Sequence, residues 1–210
     1  MAESFADASD AYNCGDDERA LRIWRPLADQ GDASAQFNVG QMYAKGRSVS
    51  QDIAEAVKWY RKAANQGLAT AQFNLGTRLA QGEGIQQDFA EAAKWYRRAA
   101  DQGDAVAQLG LGVMYIEGRG VPKDFTEAAT WYRKAADQGL ASAQLWLGGM
   151  YANGQGVSRD DEQAYRWFDL AAKLAPLETE ERKQALCYRD IVAARMDSTQ
   201  IADAQKLARE

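Results

Sequence analysis

Ala71-Gln72-Phe73-Asn74-Leu75-Gly76 is one copy of a six-residue segment that occurs four times in this chain of 210 residues. The other copies begin at Ala35, Ala107 and Ala143, so that neighbouring copies are 36 residues apart. Because the spacing is constant, the loops between the copies all have the same length. A fixed period of ~20–50 residues is typical of solenoids, whose units bury their apolar faces by stacking on their neighbours.

The segment lies in the first of two helices that the sequence predicts in each repeat. In the second copy, Ala71, Leu75 and Leu79 recur at helical spacing. Gly82 then ends the helix, because glycine adopts the left-handed conformation of a helix terminus without strain. A short glycine-containing loop follows, in which Ser48 replaces the second glycine of the first copy. The loop ends in a β-branched residue that we expect to pack over the core: Val49, Ile85, Val121 and Val157.

The second predicted helix begins at an aspartate, followed three residues later by Glu or Gln: Asp52, Asp88, Asp124 and Asp160. This is capping-box spacing, in which side chains satisfy the free N–H groups of the first turn. Paired carboxylates for acid–base catalysis are the alternative, but recurrence at each helix start favours capping. The helix then carries Trp59 and Tyr60 among alanines, and the pattern recurs in every copy, with Phe168 in place of the tyrosine in the fourth. The pairing with alanine favours a core over an aromatic platform for bases or sugars.

Stacked antiparallel helix pairs predict an all-α fold, a right-handed α/α superhelical solenoid of helix-turn-helix repeats. We place the repeats at residues 32–67, 68–103, 104–139 and 140–175. A diverged helix pair at residues 1–31 precedes them. Residues 176–210 are interpreted as capping helices that cover the open end of the array, with a capping box from Asp197 to Gln200.

The composition bounds the function. The net charge is −5 with both signs interspersed, which argues against a nucleic-acid partner, and no apolar run is long enough for membrane insertion. The chain contains no histidine, no Cys-x-x-Cys, no phosphate loop and no Gly-x-Ser-x-Gly motif. We therefore expect no catalysis, no cofactor and no metal site. Its two cysteines, Cys14 and Cys187, are expected to be unpaired because they lie near opposite ends of the array.

The repeat resembles the Sel-one-like repeat (SLR) family, a relative of the tetratricopeptide repeat. The closest agreement is in Leu111-Gly112-Val113-Met114-Tyr115 and in Trp131-Tyr132-Arg133-Lys134-Ala135-Ala136. The resemblance implies an adaptor or scaffold that holds other proteins, often in bacteria and in envelope or secretion pathways. One branch of the family has a disulfide in every repeat, and this chain lacks those cysteines.

Positions that vary between the copies are candidates for contact with a partner, because unchanged positions hold the stack together. In the first helices the varying positions follow a spacing of four, three and four residues, so they share one helical face, which we call the first-helix stripe. By analogy with tetratricopeptide-like arrays, the stripe is expected to line the concave groove. The candidate groove residues are Asn38, Gln41, Asn74, Thr77, Val113 and Trp146.

Trp146 is the exception among the six tryptophans, because it lies outside the core motif and on the stripe. Tryptophan is enriched among residues that anchor protein partners. Trp146 is thus either a binding anchor or a residue that packs under the C-terminal cap, and the sequence leaves both open.

The favoured function is a non-enzymatic protein–protein interaction module that binds a peptide or protein surface in the groove. The alternative is a self-assembling structural scaffold; an adaptor is expected to be monomeric. The chain as given carries no leader segment, so we expect a cytoplasmic protein, or a periplasmic or secreted one if a signal peptide was removed before Met1.

Overall fold

A computed structural model describes residues 3–208, and within that range the chain forms twelve α-helices and no strand. The expected all-α solenoid class, built from repeated helix-turn-helix units, is confirmed. The chain divides into two compact units, Met1–Gln102 and Gly103–Glu210.

The N-terminal unit contains three helix pairs: α1 (Phe5–Asn13) with α2 (Asp17–Asp29), α3 (Ala33–Lys45) with α4 (Ile53–Asn65), and α5 (Ala69–Gln81) with α6 (Phe89–Asp101). The C-terminal unit contains α7 (Ala105–Glu117) with α8 (Phe125–Asp137) and α9 (Ala141–Asn153) with α10 (Asp161–Leu174). Two further helices complete it, α11 (Glu180–Ala193) and α12 (Ser198–Leu207).

The aspartates cap the second helices, but the reciprocal half of the predicted capping box is replaced. Asp52 accepts a hydrogen bond from the backbone N–H of Glu55 at 2.9 Å, and Asp88 accepts one from Glu91 at 2.8 Å. The backbone N–H of Asp52 donates to the carbonyl of Tyr43 at 3.0 Å. Since that donor is already satisfied, the glutamate side chain is not needed as its acceptor and is available for other contacts. Glu91 pairs with Arg61 of α4 at 2.9 Å.

The glycine that ends the repeated six-residue segment lets the two helices of a repeat approach closely. A Cβ on Gly76 would lie 2.8 Å from a ring carbon of Tyr96, and one on Gly112 would lie 2.4 Å from a ring carbon of Tyr132. Carbon atoms at that separation overlap strongly, so the aromatic ring occupies the space that a side chain would need. This contact couples the Gly of the first helix to the Tyr of the second and fixes how they pack.

The core motif is buried as expected. Trp59, Trp95, Trp131 and Trp167 are between 2% and 6% exposed. The basic residues that follow them have a packing role, because Lys62 lies 3.9 Å from the ring centre of Trp59 and Lys134 lies 3.9 Å from that of Trp131. These cations cover the outer faces of the indoles through cation–π contacts.

A buried glutamine links three consecutive helices in the N-terminal unit. Gln36 of α3 donates to the carbonyl of Ala28 in α2 at 3.1 Å and accepts from Gln66, which follows α4, at 2.8 Å. Gln72 makes the same two contacts one repeat later, with Ala64 at 3.2 Å and Gln102 at 2.8 Å. Both glutamines are almost fully buried, and their amides are satisfied on both sides. We call this chain of contacts the glutamine relay.

The relay stops at the last repeat. Gln144 donates to the carbonyl of Ala136 at 3.1 Å, but its buried side-chain oxygen has no hydrogen-bond partner. The position that holds Gln66, Gln102 and Gln138 in the other repeats holds Leu174 in this one. The final repeat therefore contains one unsatisfied buried acceptor.

The C-terminal helices pack on α10. Ala185 and Val192 of α11 are buried, as is Ala204 of α12. The predicted capping box is confirmed, since Asp197 accepts from the backbone of Gln200 and the Gln200 side chain accepts from the backbone of Asp197. Polar contacts fix both helices: Arg166 of α10 donates to the carbonyl of Leu207 at 3.1 Å, and Asp169 is paired with Arg189 at 3.3 Å.

Candidate partner-binding cleft

In the N-terminal unit, most candidate stripe residues are already engaged within their own repeat. The Asn74 amide donates to the carbonyl of Thr70 at 2.8 Å, and Gln41 accepts from Lys45 at 3.5 Å. Thr77 donates to the carbonyl of Phe73 at 3.0 Å, and its hydroxyl is also hydrogen-bonded to that of Tyr96 at 3.1 Å. The polar groups of this surface therefore already form hydrogen bonds within the protein, which leaves fewer donors and acceptors for a partner.

Asn38, Asn74 and Thr77 are all half-buried, so this part of the stripe is reachable from solvent but not prominent. Of the four candidate residues in this unit, Gln41, Asn74 and Thr77 form hydrogen bonds within their own repeat. None of these hydrogen bonds joins α3 to α5.

In the C-terminal unit the stripe is more apolar. Val113 is half-buried and packs against the core of α8 and α9. Trp146 keeps 51% of its surface exposed and stacks on the ring of Tyr132, with 6.1 Å between ring centres and 18° between planes. The Tyr132 hydroxyl is buried and has no hydrogen-bond partner. The equivalent Tyr96 has Thr77 beside it, whereas Tyr132 has Val113 at that position, which offers no polar atom.

A cleft of about 430 Å³ opens beside Trp146, between α9, α10 and α11. Three stripe positions of α9 line one side: Trp146, Gly149 and Asn153. Leu145, Phe168 and Val192 lie at its base, where Phe168 and Val192 are buried. Its volume is at the low end of the ~300–1,000 Å³ that is usual for ligand pockets.

The opposite wall of the cleft is α11, which presents two further exposed apolar side chains. Tyr188 is 46% exposed and Ile191 is 48% exposed. Tyr188 packs against Phe168, with 5.6 Å between ring centres. Together with Trp146 these residues form an apolar surface of three large, half-exposed side chains around one concavity, which is unusual outside interaction sites.

The rim of the cleft is polar. Gln184 and Arg195 of the C-terminal cap contribute to it, together with Asn153. Asn153 donates to the carbonyl of Gly149 at 2.9 Å, and Arg195 lies 3.6 Å from Asp161. An apolar centre with a polar rim is the arrangement found in protein-interaction surfaces.

The shifted ionisable groups near the stripe are tyrosines, and their shifts have a packing cause. Burial raises the pKa of Tyr60 to about 12, partly opposed by the charge of Arg78. Burial also raises the pKa of Tyr132 and of Tyr96, and for Tyr96 the hydrogen bond with Thr77 partly opposes the increase. These hydroxyls stay protonated at neutral pH, so the shifts reflect packing rather than acid–base chemistry.

The sequence did not identify the α11 wall of the cleft, because residues after Pro176 have no copy elsewhere in the chain. The sequence predicts only a cap there, whose Ala185 and Val192 are buried. One pattern in the sequence does indicate this wall. Tyr188, Ile191 and Arg195 are spaced three and four residues apart, so they share a face of α11 that differs from the face of the buried Ala185 and Val192.

Within residues 3–208, no group of three or more acidic, Cys or His side chains is arranged to bind a metal ion. No helix in this range is long and apolar enough to cross a membrane. Cys14 and Cys187 are both exposed free thiols.

The Sel1 repeat family model matches four consecutive segments, residues 33–68, 69–104, 105–140 and 141–176. No match was found among curated proteins. Among solved structures, a protective antigen present in uropathogenic Escherichia coli strains, which displays an SLR fold, is 38% identical with a TM-score of 0.79. The match covers 90% of this chain but only 40% of that protein's length.

A Sel1 repeat protein from Oxalobacter formigenes is 31% identical with a TM-score of 0.79, and the match covers 93% of this chain and 87% of that one. A Sel1 repeat structure from Klebsiella pneumoniae, 21% identical with a TM-score of 0.55 over 90% of this chain and 91% of that one, supports the fold alone. With four matched repeats across most of its length, the chain belongs to the Sel1 repeat family, whose members are generally protein-interaction scaffolds.

Proposed function

We propose that this chain is a non-enzymatic protein–protein interaction module, an adaptor or scaffold, that binds a peptide or protein surface through the first-helix stripe. We assign the strongest contact to the cleft between α9 and α11 in the C-terminal unit. Members of the family are generally non-catalytic and bind other proteins, and that background supports the proposal.

One observation carries the proposal: Trp146, Tyr188 and Ile191 are each about half exposed and surround the same cleft. Covering apolar surface is favourable by ~25 cal/mol per Å², so three such side chains offer a partner a substantial gain. Tryptophan and tyrosine are also the residue types most enriched among side chains whose truncation abolishes binding.

The geometry adds pre-organisation. Trp146 is held by its stacking on Tyr132, and Tyr188 is held by its contact with Phe168. Side chains whose rings are already packed on one face lose less conformational freedom when a partner covers the other face.

The proposal is tested by selecting a random-sequence peptide library, displayed on phage, against the wild-type protein. Selected peptides are synthesised, and their dissociation constants are measured by calorimetry on the wild type and on the double variant Trp146→Ala/Tyr188→Ala. We expect the double variant to bind at least about 10-fold more weakly, which is typical of losing two anchor residues.

Leu177→Ala is the control, because Leu177 is 74% exposed, lies outside the first-helix stripe and does not line the cleft. Thermal unfolding of all variants shows whether the fold is retained. Equal affinity for the wild type and the double variant would remove the cleft from the proposal. If light scattering instead detects an oligomer that grows with concentration and disappears in Trp146→Ala, the cleft serves self-assembly.

A further inference from the structure

Building on the proposed function, we infer that the cleft takes a peptide segment in which a large apolar side chain is followed closely by a carboxylate. The apolar half of this specificity comes from the base and walls of the cleft. The acidic half comes from the charge at its rim.

The cleft is shaped for one large side chain. Phe168 and Val192 form a buried apolar base, and Trp146 and Tyr188 rise on either side of it. An aromatic or large aliphatic residue placed there contacts two ring faces and an apolar floor at once. Such side chains prefer offset or tilted contacts with neighbouring rings, which the two walls provide.

Arg195 supplies the charge that lines the rim of the cleft. Among the described residues around the cleft, Arg195 is the one that carries a formal charge. Its side chain is 40% exposed and lies 3.6 Å from Asp161. Asp161 is held more closely by Arg159, at 3.0 Å. The Arg195 guanidinium, with five N–H donors, therefore retains donors for a further acceptor.

A carboxylate matches this rim because the guanidinium fork can bind both of its oxygens. The protein as a whole carries a net charge of −5, and Arg195 supplies a local positive charge at the cleft. A lysine in the same place on the partner would meet a like charge, which costs binding energy and so excludes basic segments. Gln184 at the rim offers an amide to the peptide backbone beside the carboxylate.

The test uses an array of short acetylated and amidated Gly-Ser peptides. Each carries Trp, Leu or Ala as the apolar position and Asp, Asn or Lys one to three positions later. Retention of fluorescently labelled protein is compared for the wild type, Arg195→Gln, Arg195→Lys and Lys183→Gln. Lys183→Gln is the matched control, because it removes one positive charge from α11 at a side chain that is 64% exposed and does not line the cleft.

We expect the wild type to retain Trp-Asp peptides about 3- to 10-fold better than Trp-Asn peptides, the range for a partly exposed charge-assisted contact. Arg195→Gln should abolish the preference, Arg195→Lys should keep part of it, and Lys183→Gln should keep it whole. The preference should also weaken as salt is raised.

Two outcomes separate this inference from the proposed function. If the wild type prefers Trp over Ala peptides but treats Asp, Asn and Lys alike, the cleft binds apolar segments and the acidic specificity is wrong. If neither the apolar nor the charged position matters, both the inference and the assignment of binding to the cleft fail.

Discussion

The first-helix stripe differs between the two units in how its side chains are already occupied. In the N-terminal unit, Asn74 and Thr77 are hydrogen-bonded within their own repeat, and Thr77 satisfies the buried hydroxyl of Tyr96. In the C-terminal unit, Trp146 keeps half of its surface exposed, and the hydroxyl of Tyr132 beneath it has no partner. The same repeat framework thus carries a satisfied surface at one end of the chain and an unsatisfied one at the other.

The difference follows from single substitutions at repeated positions. Thr77 is replaced by Val113, and Asn74 is matched by Trp146 two repeats later. Each change leaves the Gly–Tyr or Gly–Phe contact of the core in place. A repeat array can therefore alter its surface position by position while its core stays constant, and under the proposed function a partner gains most by covering the C-terminal unit.

The largest expected effect on stability is the truncation of a core tryptophan, compared with truncation of the exposed Trp146. Trp131→Ala should lower the free energy of unfolding by about 3–5 kcal/mol, because a large buried ring leaves a cavity. Trp146→Ala should cost only about 1 kcal/mol, the order of one aromatic pair contact with Tyr132. Urea unfolding of both variants measures this. Similar losses for the two would mean that Trp146 belongs to the core and would break the comparison.

Much of the fold was readable from the sequence because the repeat supplies its own internal comparison. The register of the copies predicted the buried Trp motif and the Asp caps. The glutamine relay was missed, because a buried Gln and an exposed Gln look alike in one sequence, and the bond between Gln36 and Gln66 depends on packing. The α11 wall of the cleft was missed since Tyr188 and Ile191 belong to a segment without repeats.

Two adjacent glycines of α9 should respond in opposite directions. A Cβ on Gly148 would lie 2.8 Å from the ring of Phe168, so Gly148→Ala should destabilise the protein by about 1–3 kcal/mol through overpacking. Gly149 is a stripe position where a Cβ meets nothing within 4 Å. Gly149→Ala should therefore stabilise by about 0.5–1 kcal/mol, the helix preference of alanine over glycine. Unfolding free energies with the same sign would contradict this division between core and stripe.

The glutamine relay is a second difference between the units, because Gln144 lacks the donor that Gln36 has. Reciprocal substitutions test it. Gln66→Leu gives the N-terminal unit the arrangement seen at Leu174 and leaves the buried oxygen of Gln36 without its donor, so it should cost about 1–2 kcal/mol. Leu174→Gln should do the reverse and give Gln144 the donor it lacks, with a gain of about 1 kcal/mol or less. Thermal unfolding of both variants measures the two shifts. A loss of stability from Leu174→Gln would show that the last repeat does not need the relay.

The smallest effects at neutral pH are expected from removing single hydroxyls. Tyr96→Phe loses the hydrogen bond to Thr77 and should cost about 0.5–1 kcal/mol. Tyr132→Phe removes a buried hydroxyl that has no partner and should be neutral or stabilising by up to about 1 kcal/mol. Phe168 already occupies the equivalent position in the next repeat and packs on Gly148 in the same way. Equal losses in the two variants would show that both hydroxyls are equally satisfied.

Alkaline unfolding gives the same hydroxyls a second readout. The pKa of Tyr60 is raised by burial to about 12, and burial also raises the pKa of Tyr132. An unfolded tyrosine ionises near pH ~10, so above that pH the unfolded chain releases its proton while the folded chain keeps it. The contribution of these tyrosines to the free energy of unfolding is therefore fully present below pH ~10. It is lost as the pH rises from there through the pKa of the folded group. Tyr132→Phe removes one such group, and its unfolding free energy should decline less steeply than that of the wild type over this range. An unchanged slope would mean that the Tyr132 hydroxyl already reaches water in the folded protein. The difference between the two units would then rest on the exposure of Trp146 alone.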